Sequence, residues 1–270
     1  MITFPNINPI AIAVGPLKVH WYGIAYVVGI LLACKIGRIL IKRHNFNLPI
    51  KILDDLFPFA VIGIIIGGRL GHVLFYDPIY YLNHPLDIPQ VWLGGMSFHG
   101  GLIGVTIATY LFTKRHKIDF YALADLLALI SPVGLFFGRI ANFINAELCG
   151  VITSLPFGVV FPGETLPRHP TQIYEALLEG VVLFLVLNVS YKNSAKLQNC
   201  RGTTFCLFLC LYALFRLFVE QFKVQDVVVQ LCTVELGVGV ILCTLMLLLS
   251  ILVIKLRLHA CKSTSVLQGL

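Results

Sequence analysis

WYGIAYVVGILLACKIGRILI, Trp21 to Ile41, decides the class of fold, because it carries no Lys, Arg, Asp or Glu before Lys35. At 1.5 Å per residue a stretch of this length covers roughly the 30 Å of a bilayer's hydrocarbon. Six further stretches read the same way: Leu56 to Tyr76, Trp92 to Thr113, Tyr121 to Asn142, Ile173 to Tyr191, Thr203 to Phe222 and Val234 to Ile254. The composition agrees. The 270 residues are 58% hydrophobic and 12% charged, against about 25% charged for a soluble domain, and mean hydropathy is +0.88. The expected fold is all-α, a polytopic membrane helix bundle of about seven transmembrane helices.

The formal charge of +7 does not point to nucleic acid, because the basic residues fall in short clusters between apolar runs. Lys42, Arg43 and Lys51, then Lys114, Arg115 and Lys117, then Lys192, Lys196 and Arg201, then Lys255, Arg257 and Lys262 alternate with segments holding only Lys18, Arg168 and Lys223. The basic segments face the cytoplasm, which sets the N-terminus outside and the C-terminus inside. The first sixteen residues lack Lys and Arg, so the basic opening of a signal peptide is missing and the first spanning helix is expected to stay. The spans show no internal repeat, and the one long connection, residues 143–172, is rich in Gly, Pro and turn residues. One domain over 1–270 with a small outer cap is expected. The eight cysteines lack C-x-x-C spacing, and Cys34, Cys206, Cys210 and Cys243 lie inside apolar runs; all are read as small apolar fillers.

Orientation converts position into depth. His99 lies seven residues below the start of its stretch, about 10 Å deep. The same counting puts Tyr22, Arg69, Arg139, Asn142, Glu175, Arg216 and Glu220 in the outer half, while the inner half offers chiefly Asp125. An arginine at a span's centre costs about 2.5 to 3.5 kcal/mol, so these residues need partners. Arg216 and Glu220, four apart, can pair on one helix face with Tyr212 on the same stripe; Arg139 has no acid four residues away, so its partner comes from another helix. The cationic donors exceed the acids in view, which suits a phosphate held by guanidinium forks, and a phospholipid headgroup is the nearest phosphate.

His99 stands in GGMSFHGGLIG, Gly94 to Gly104, where small residues allow close helix approach. A histidine takes a proton near neutral pH, and a thiol is a proton source that becomes nucleophilic on losing it. Among glycines, His99 can also serve only as a packing hydrogen bond. His20, His44, His72 and His84 are scattered, and no H-E-x-x-H occurs, so no metal is expected.

At these residues the sequence resembles the prolipoprotein diacylglyceryl transferases over nearly its whole length. The matching stretches are HWYG at His20 to Gly23, GGRLGHVLFY at Gly67 to Tyr76, GGMSFHGGLIG, GRIANFINAELCG at Gly138 to Gly150, RHPTQIYEALLEG at Arg168 to Gly180, and YALFRLFVE at Tyr212 to Glu220. The resemblance implies transfer of diacylglycerol from phosphatidylglycerol to the lipobox cysteine of a prolipoprotein signal peptide, with glycerol 1-phosphate released. It implies no cofactor, and a place in the bacterial cytoplasmic (inner) membrane with the site toward the outer leaflet.

The resemblance carries the family's functional residues onto Tyr22, His99, Arg139, Asn142, Glu147, Gly150, Arg216 and Glu220. The expected roles place His99, Arg139, Arg216 and Glu220 at the chemistry. Tyr22, Asn142, Glu147 and Gly150 would bind substrate, joined by Arg69 on the depth argument. His99 serves either as base or as headgroup orienter, and Glu147 and Glu220 are expected to hold the arginines. The chain departs from the family pattern at Ala141 and Ala146, where glycine is usual, at Cys149 and Val151, at Lys223-Val224-Gln225-Asp226 in place of Arg-x-Pro-Asp, and after Gly237. A transporter would need a polar path to both faces, and an intramembrane protease a nucleophile–base pair or paired aspartates. Neither pattern is visible.

Overall fold

The computed structural model describes every residue except 1, 6, 16, 45, 225–227, 232, 233 and 268–270, so the Gln225 and Asp226 departures lie outside the described residues. Its helices are α1 (Trp21–His44), α2 (Ile52–Phe75), α3 (Pro78–Asn83), α4 (Phe98–His116) and α5 (Phe120–Ile144). They continue with α6 (Thr171–Asn193), α7 (Ala195–Asn199), α8 (Thr203–Glu220) and α9 (Val238–Leu267). Three two-stranded sheets lie between or before them. Strands β1 (Ile2–Thr3) and β4 (Val159–Val160) pair in parallel, and β2 (Ile10–Val14) with β3 (Leu17–His20) and β5 (Val228–Leu231) with β6 (Val234–Gly237) form hairpins.

Among the described residues six helices, α1, α2, α5, α6, α8 and α9, are long and apolar enough to cross a membrane. Leucines on their outer faces, such as Leu31, Leu74 and Leu248, are more than half exposed, whereas Thr171, Gln172, Glu175 and Glu179 have no exposed surface. A water-soluble protein does not present apolar belts of that extent while burying its charges. The chain is a multi-pass membrane protein of all-α type.

Two expected spans change. The third begins at Phe98 rather than Trp92, because Gly94 and Gly95 take φ of 86° and 73°, a left-handed turn that breaks the helix. Ser97 caps α4 by accepting from the Gly100 amide at 3.3 Å. His99 is therefore the second residue of α4 rather than a residue two turns down. It still lies deep: the Ser97 amide donates to the Gly68 carbonyl at 2.9 Å, seven residues or about 10 Å along α2 from its Phe75 end. The last span begins at Val238, since Val234–Gly237 is taken up by β6.

Glycines bring α2 and α4 together. A Cβ on Gly67 would stand 2.7 Å from the Gly104 Cα, and one on Gly63 2.7 Å from the Ala108 Cβ, while Gly71 meets Gly100. The spacing of four on both helices makes a continuous small-residue seam, the packing mode suited to helices that gain nothing from apolar burial in lipid. The apolar core, with Leu123, Leu126 and Leu129 of α5 against Phe112 of α4 and Leu187 of α6, fills the opposite end of the bundle. Asp125 there accepts from the Gly202 and Phe205 amides at 2.6 and 2.8 Å, so the buried inner carboxylate caps α8 from a neighbouring helix.

The cysteines are not all fillers. Cys200, in the turn before α8, is disulfide-bonded to Cys261 of α9, 61 residues on, a separation that gives no spacing signature. Cys34, Cys149, Cys206, Cys210 and Cys243 are free thiols.

The connection between α5 and α6 folds on itself. Gly150 bridges to Lys223, and Ile152 and Val159 both bridge to Arg168. Phe4, Val159 and Phe161 form a small separate core against Phe143, Ala146 and Cys149. At its start Ala146 adopts φ 54°, at one of the positions where the resembled family usually carries glycine. A left-handed alanine costs about 1 kcal/mol, so Ala146→Gly is expected to stabilise the protein by roughly that amount, read as a higher midpoint of unfolding in detergent.

Candidate active site

The site is built on one carboxylate. Glu175, in the first turn and a half of α6, has no exposed surface and receives three cations. Arg139 Nη1 of α5 lies 3.2 Å from Oε2, Lys223 Nζ 3.0 Å from Oε1, and Arg216 Nη1 of α8 also binds Oε1. Arg139 Nη2 reaches Glu179 Oε2 at 3.1 Å, and Arg216 Nε reaches Glu220 Oε2 at 3.0 Å. The partner of Arg139 does come from another helix, and Arg216 and Glu220 do pair within theirs. Directly after Glu175, residues Ala176–Val182 form a π-helical segment, a distortion frequent at functional sites. It carries Glu179 and sets Gly180 against α5, where a Cβ would lie 2.7 Å from that of Phe136.

The expected surplus of cations over acids is absent here: Arg139, Arg216 and Lys223 face Glu175, Glu179 and Glu220, so charge balances among these six. Hydrogen-bond donors do not. Each guanidinium carries five N–H groups, more than its ion pairs consume, and the arginine side chains keep 14% and 17% exposure above a carboxylate that has none. The outcome is a neutralised base under a layer of open donors. Tyr212, fully enclosed, stacks on Phe98 at 4.5 Å between ring centres and joins α8 to the start of α4.

His99 is 8% exposed; its Nε2 lies 3.4 Å from the Cys243 sulfur of α9, and its Nδ1 is buried with no hydrogen-bond partner among the described residues. Arg216 stands within electrostatic reach of the ring. Asn142, one turn past Arg139 on α5, donates to Glu147 at 3.4 Å. Glu147 is exposed, and its other side-chain contact is Asn145 at 3.2 Å. Its described partners are thus amides rather than the arginines expected for it. The Glu147 carbonyl accepts from Gln172, and Thr171 binds the Leu148 carbonyl at 2.9 Å, so this turn is stitched to the start of α6. Gly150 is fixed by space: a Cβ would stand 2.7 Å from Thr171 Cγ2 and 2.8 Å from His169 Cβ.

Two expected residues sit apart from the cluster. Tyr22 bonds Tyr26 at 3.2 Å, and it is Tyr26 that stands within electrostatic reach of Arg139. Arg69 donates to the carbonyls of Asp87, Ile88, Gly94 and Gly95 at 2.6 to 3.3 Å and lies over the Tyr81 ring at 5.1 Å. Its fork secures the turn that delivers His99. Residues that the sequence reading did not raise as site groups are Glu179, Lys223 and Cys243. Glu179 could have been found four residues after Glu175 on the same helix face. Burial, with the Arg216 charge beside it, holds the Lys223 ammonium below the ordinary lysine range against the pull of Glu175.

A helical membrane protein with a buried, charge-balanced cluster that leaves arginine donors and an unpartnered histidine nitrogen free is an integral-membrane protein equipped for polar chemistry within the bilayer. The chain matches the family of prolipoprotein diacylglyceryl transferases over residues 9–256. It is 49% identical over 249 residues to the phosphatidylglycerol-prolipoprotein diacylglyceryl transferase of Rickettsia akari, covering 92% of this chain and 96% of that one. The protein of the same name from Rickettsia bellii is 48% identical over 258 residues, covering 94% and 97%. The chain belongs to the prolipoprotein diacylglyceryl transferase family.

Removing the charge of Glu175 leaves three cations over one acid fewer, at a position with no exposed surface. Glu175→Gln keeps the shape and is expected to destabilise the protein by about 3 to 5 kcal/mol. Glu147→Gln, at an exposed position, is expected to cost within about 0.5 kcal/mol. Denaturation in detergent compares the two.

Proposed function

We propose that the chain transfers the diacylglyceryl group of phosphatidylglycerol to the lipobox cysteine of prolipoproteins, forming a thioether and releasing glycerol 1-phosphate, the first step of bacterial lipoprotein maturation. The observation that carries this reading is the pair of guanidiniums held open above Glu175, in a chain that aligns with the family over residues 9–256. The thiolate sulfur attacks the glyceryl carbon bearing the phosphate ester. The C–S bond forms as that carbon's bond to oxygen breaks, and the electron pair leaves with the phosphate. Arg139 and Arg216 stabilise the charge arriving there, where low dielectric strengthens each contact. His99 takes the thiol proton through the free Nδ1 lone pair. Asn142 and Tyr22 position lipid oxygens, and Glu220, with Glu175 and Glu179, holds the arginines.

The protein resides in the cytoplasmic membrane with its N-terminus outside. α4, nineteen residues long and so about 28 Å, makes the seventh crossing beside α2. The arginine cluster then lies under the outer leaflet, beneath an outer cap formed by residues 143–172. Lipid and signal peptide both enter sideways from the bilayer, and no cofactor is required.

The test is intact-mass analysis of a lipobox peptide incubated with purified protein and phosphatidylglycerol. A diacylglyceryl mass gain on cysteine with glycerol 1-phosphate released is expected. Arg139→Ala and Arg216→Ala are each expected to lower kcat by about 100-fold or more, the usual loss for a donor aimed at developing charge. No modification by folded wild-type protein across several anionic lipids contradicts the proposal.

A further inference from the structure

α9 touches the site at two positions four residues apart, and therefore on one face. Gly239 leaves room for a carboxylate: a Cβ there would stand 2.8 Å from Glu220 Oε1. Cys243, one turn on, is 1% exposed and places its sulfur 3.4 Å from His99 Nε2. That thiol is closed to outside partners, so its chemistry is whatever it does to the imidazole.

A neutral imidazole has one N–H donor and one acceptor nitrogen, and the bond made by one nitrogen fixes the state of the other. At this separation the sulfur can accept N–H from Nε2 or donate S–H to it, according to the tautomer. With Nε2–H donated to Cys243, the lone pair falls on Nδ1, the nitrogen that is buried without a partner among the described residues. Among the described groups, the carboxylates near Cys243, Glu220 of α8 and Glu179 of α6, are engaged by Arg216 and Arg139, which leaves this task to the thiol. Arg216 from α8 is cationic and cannot accept, Tyr212 stacks on Phe98 rather than on the imidazole, and α2 presents glycines at this level, with Gly71 against Gly100.

We propose that Cys243 is a positioning residue for the transfer reaction: it accepts the Nε2 proton of His99, selects the tautomer with a free Nδ1, and steadies the imidazolium once Nδ1 has taken the substrate thiol's proton. No bond to Cys243 forms or breaks; the proton on Nε2 stays there throughout. The inference rests on His99 acting as base, as proposed above.

The experiment measures kcat, KM for phosphatidylglycerol and the pH profile of kcat for wild type, Cys243→Ser, Cys243→Ala, Cys243→Val and His99→Ala, all purified full-length. Serine keeps an acceptor and is expected to stay within about twofold of wild type. Alanine and valine remove it, valine while filling the space, and are expected to lower kcat about fivefold, the loss of one modest hydrogen bond, with KM unchanged within twofold. The sign of the pH effect follows from the acceptor. Without it the imidazolium is less stable, its proton is lost more readily, and the acid limb of kcat moves to lower pH. Wild-type kcat and acid limb in both Cys243→Ala and Cys243→Val, with His99→Ala inactive, overturns the positioning role and leaves His99 as base. Equal losses in the serine and valine variants overturn it too, since packing alone would then account for them. Wild-type activity and pH profile in His99→Ala overturns the base itself.

Discussion

A carboxylate with no exposed surface cannot remain ionised without partners, and in this protein Glu175 has three: Arg139 from α5, Arg216 from α8 and Lys223 from the segment after it. The requirement runs in both directions. Each arginine would be expelled from the bilayer interior without the acid, and the acid would be neutral without them. Three chain segments are thereby tied to α6 by charge, where apolar contact offers little cohesion in lipid. The same arrangement leaves the arginines with more N–H groups than their ion pairs consume, as the proposed phosphate contacts require.

A second, apolar constraint delivers the histidine. The glycine seam locks α4 against α2, and Arg69 gathers four carbonyls of the turn before α4. Together they hold the start of α4 about 10 Å along α2, with Phe98 stacked on Tyr212 and His99 beside Arg216. Arg69 thus contributes to the site by position. Its guanidinium is already committed to backbone oxygens, whereas Arg139 and Arg216 bind carboxylates and keep donors open.

Much of this was legible because charge in an apolar helix stands out. The helices, the need of Arg139 for a partner on another helix, and the Arg216–Glu220 pair follow from spacing alone. Other features depend on contacts that sequence distance conceals. Glu179 went unread although it follows Glu175 by four residues, and Lys223 read as a loop charge although it folds back onto Glu175. His99 reaches its depth by a re-entering turn built on Gly94 and Gly95, which hydropathy reads as a helix beginning at Trp92. Cys200 and Cys261 meet only because α8 and α9 pack together, and Glu147, which the family resemblance set to hold an arginine, is met instead by Asn142 and Asn145.

Whether Glu175 acts on catalysis through the arginines it holds is read from a double-mutant cycle on kcat/KM for peptide transfer, using Glu175→Gln and Arg216→Ala singly and together. Groups that act as one unit give strongly non-additive losses. The double variant is expected to be only slightly worse than the poorer single variant. Losses that multiply across the cycle would show Glu175 and Arg216 contributing independently, and would contradict that expectation.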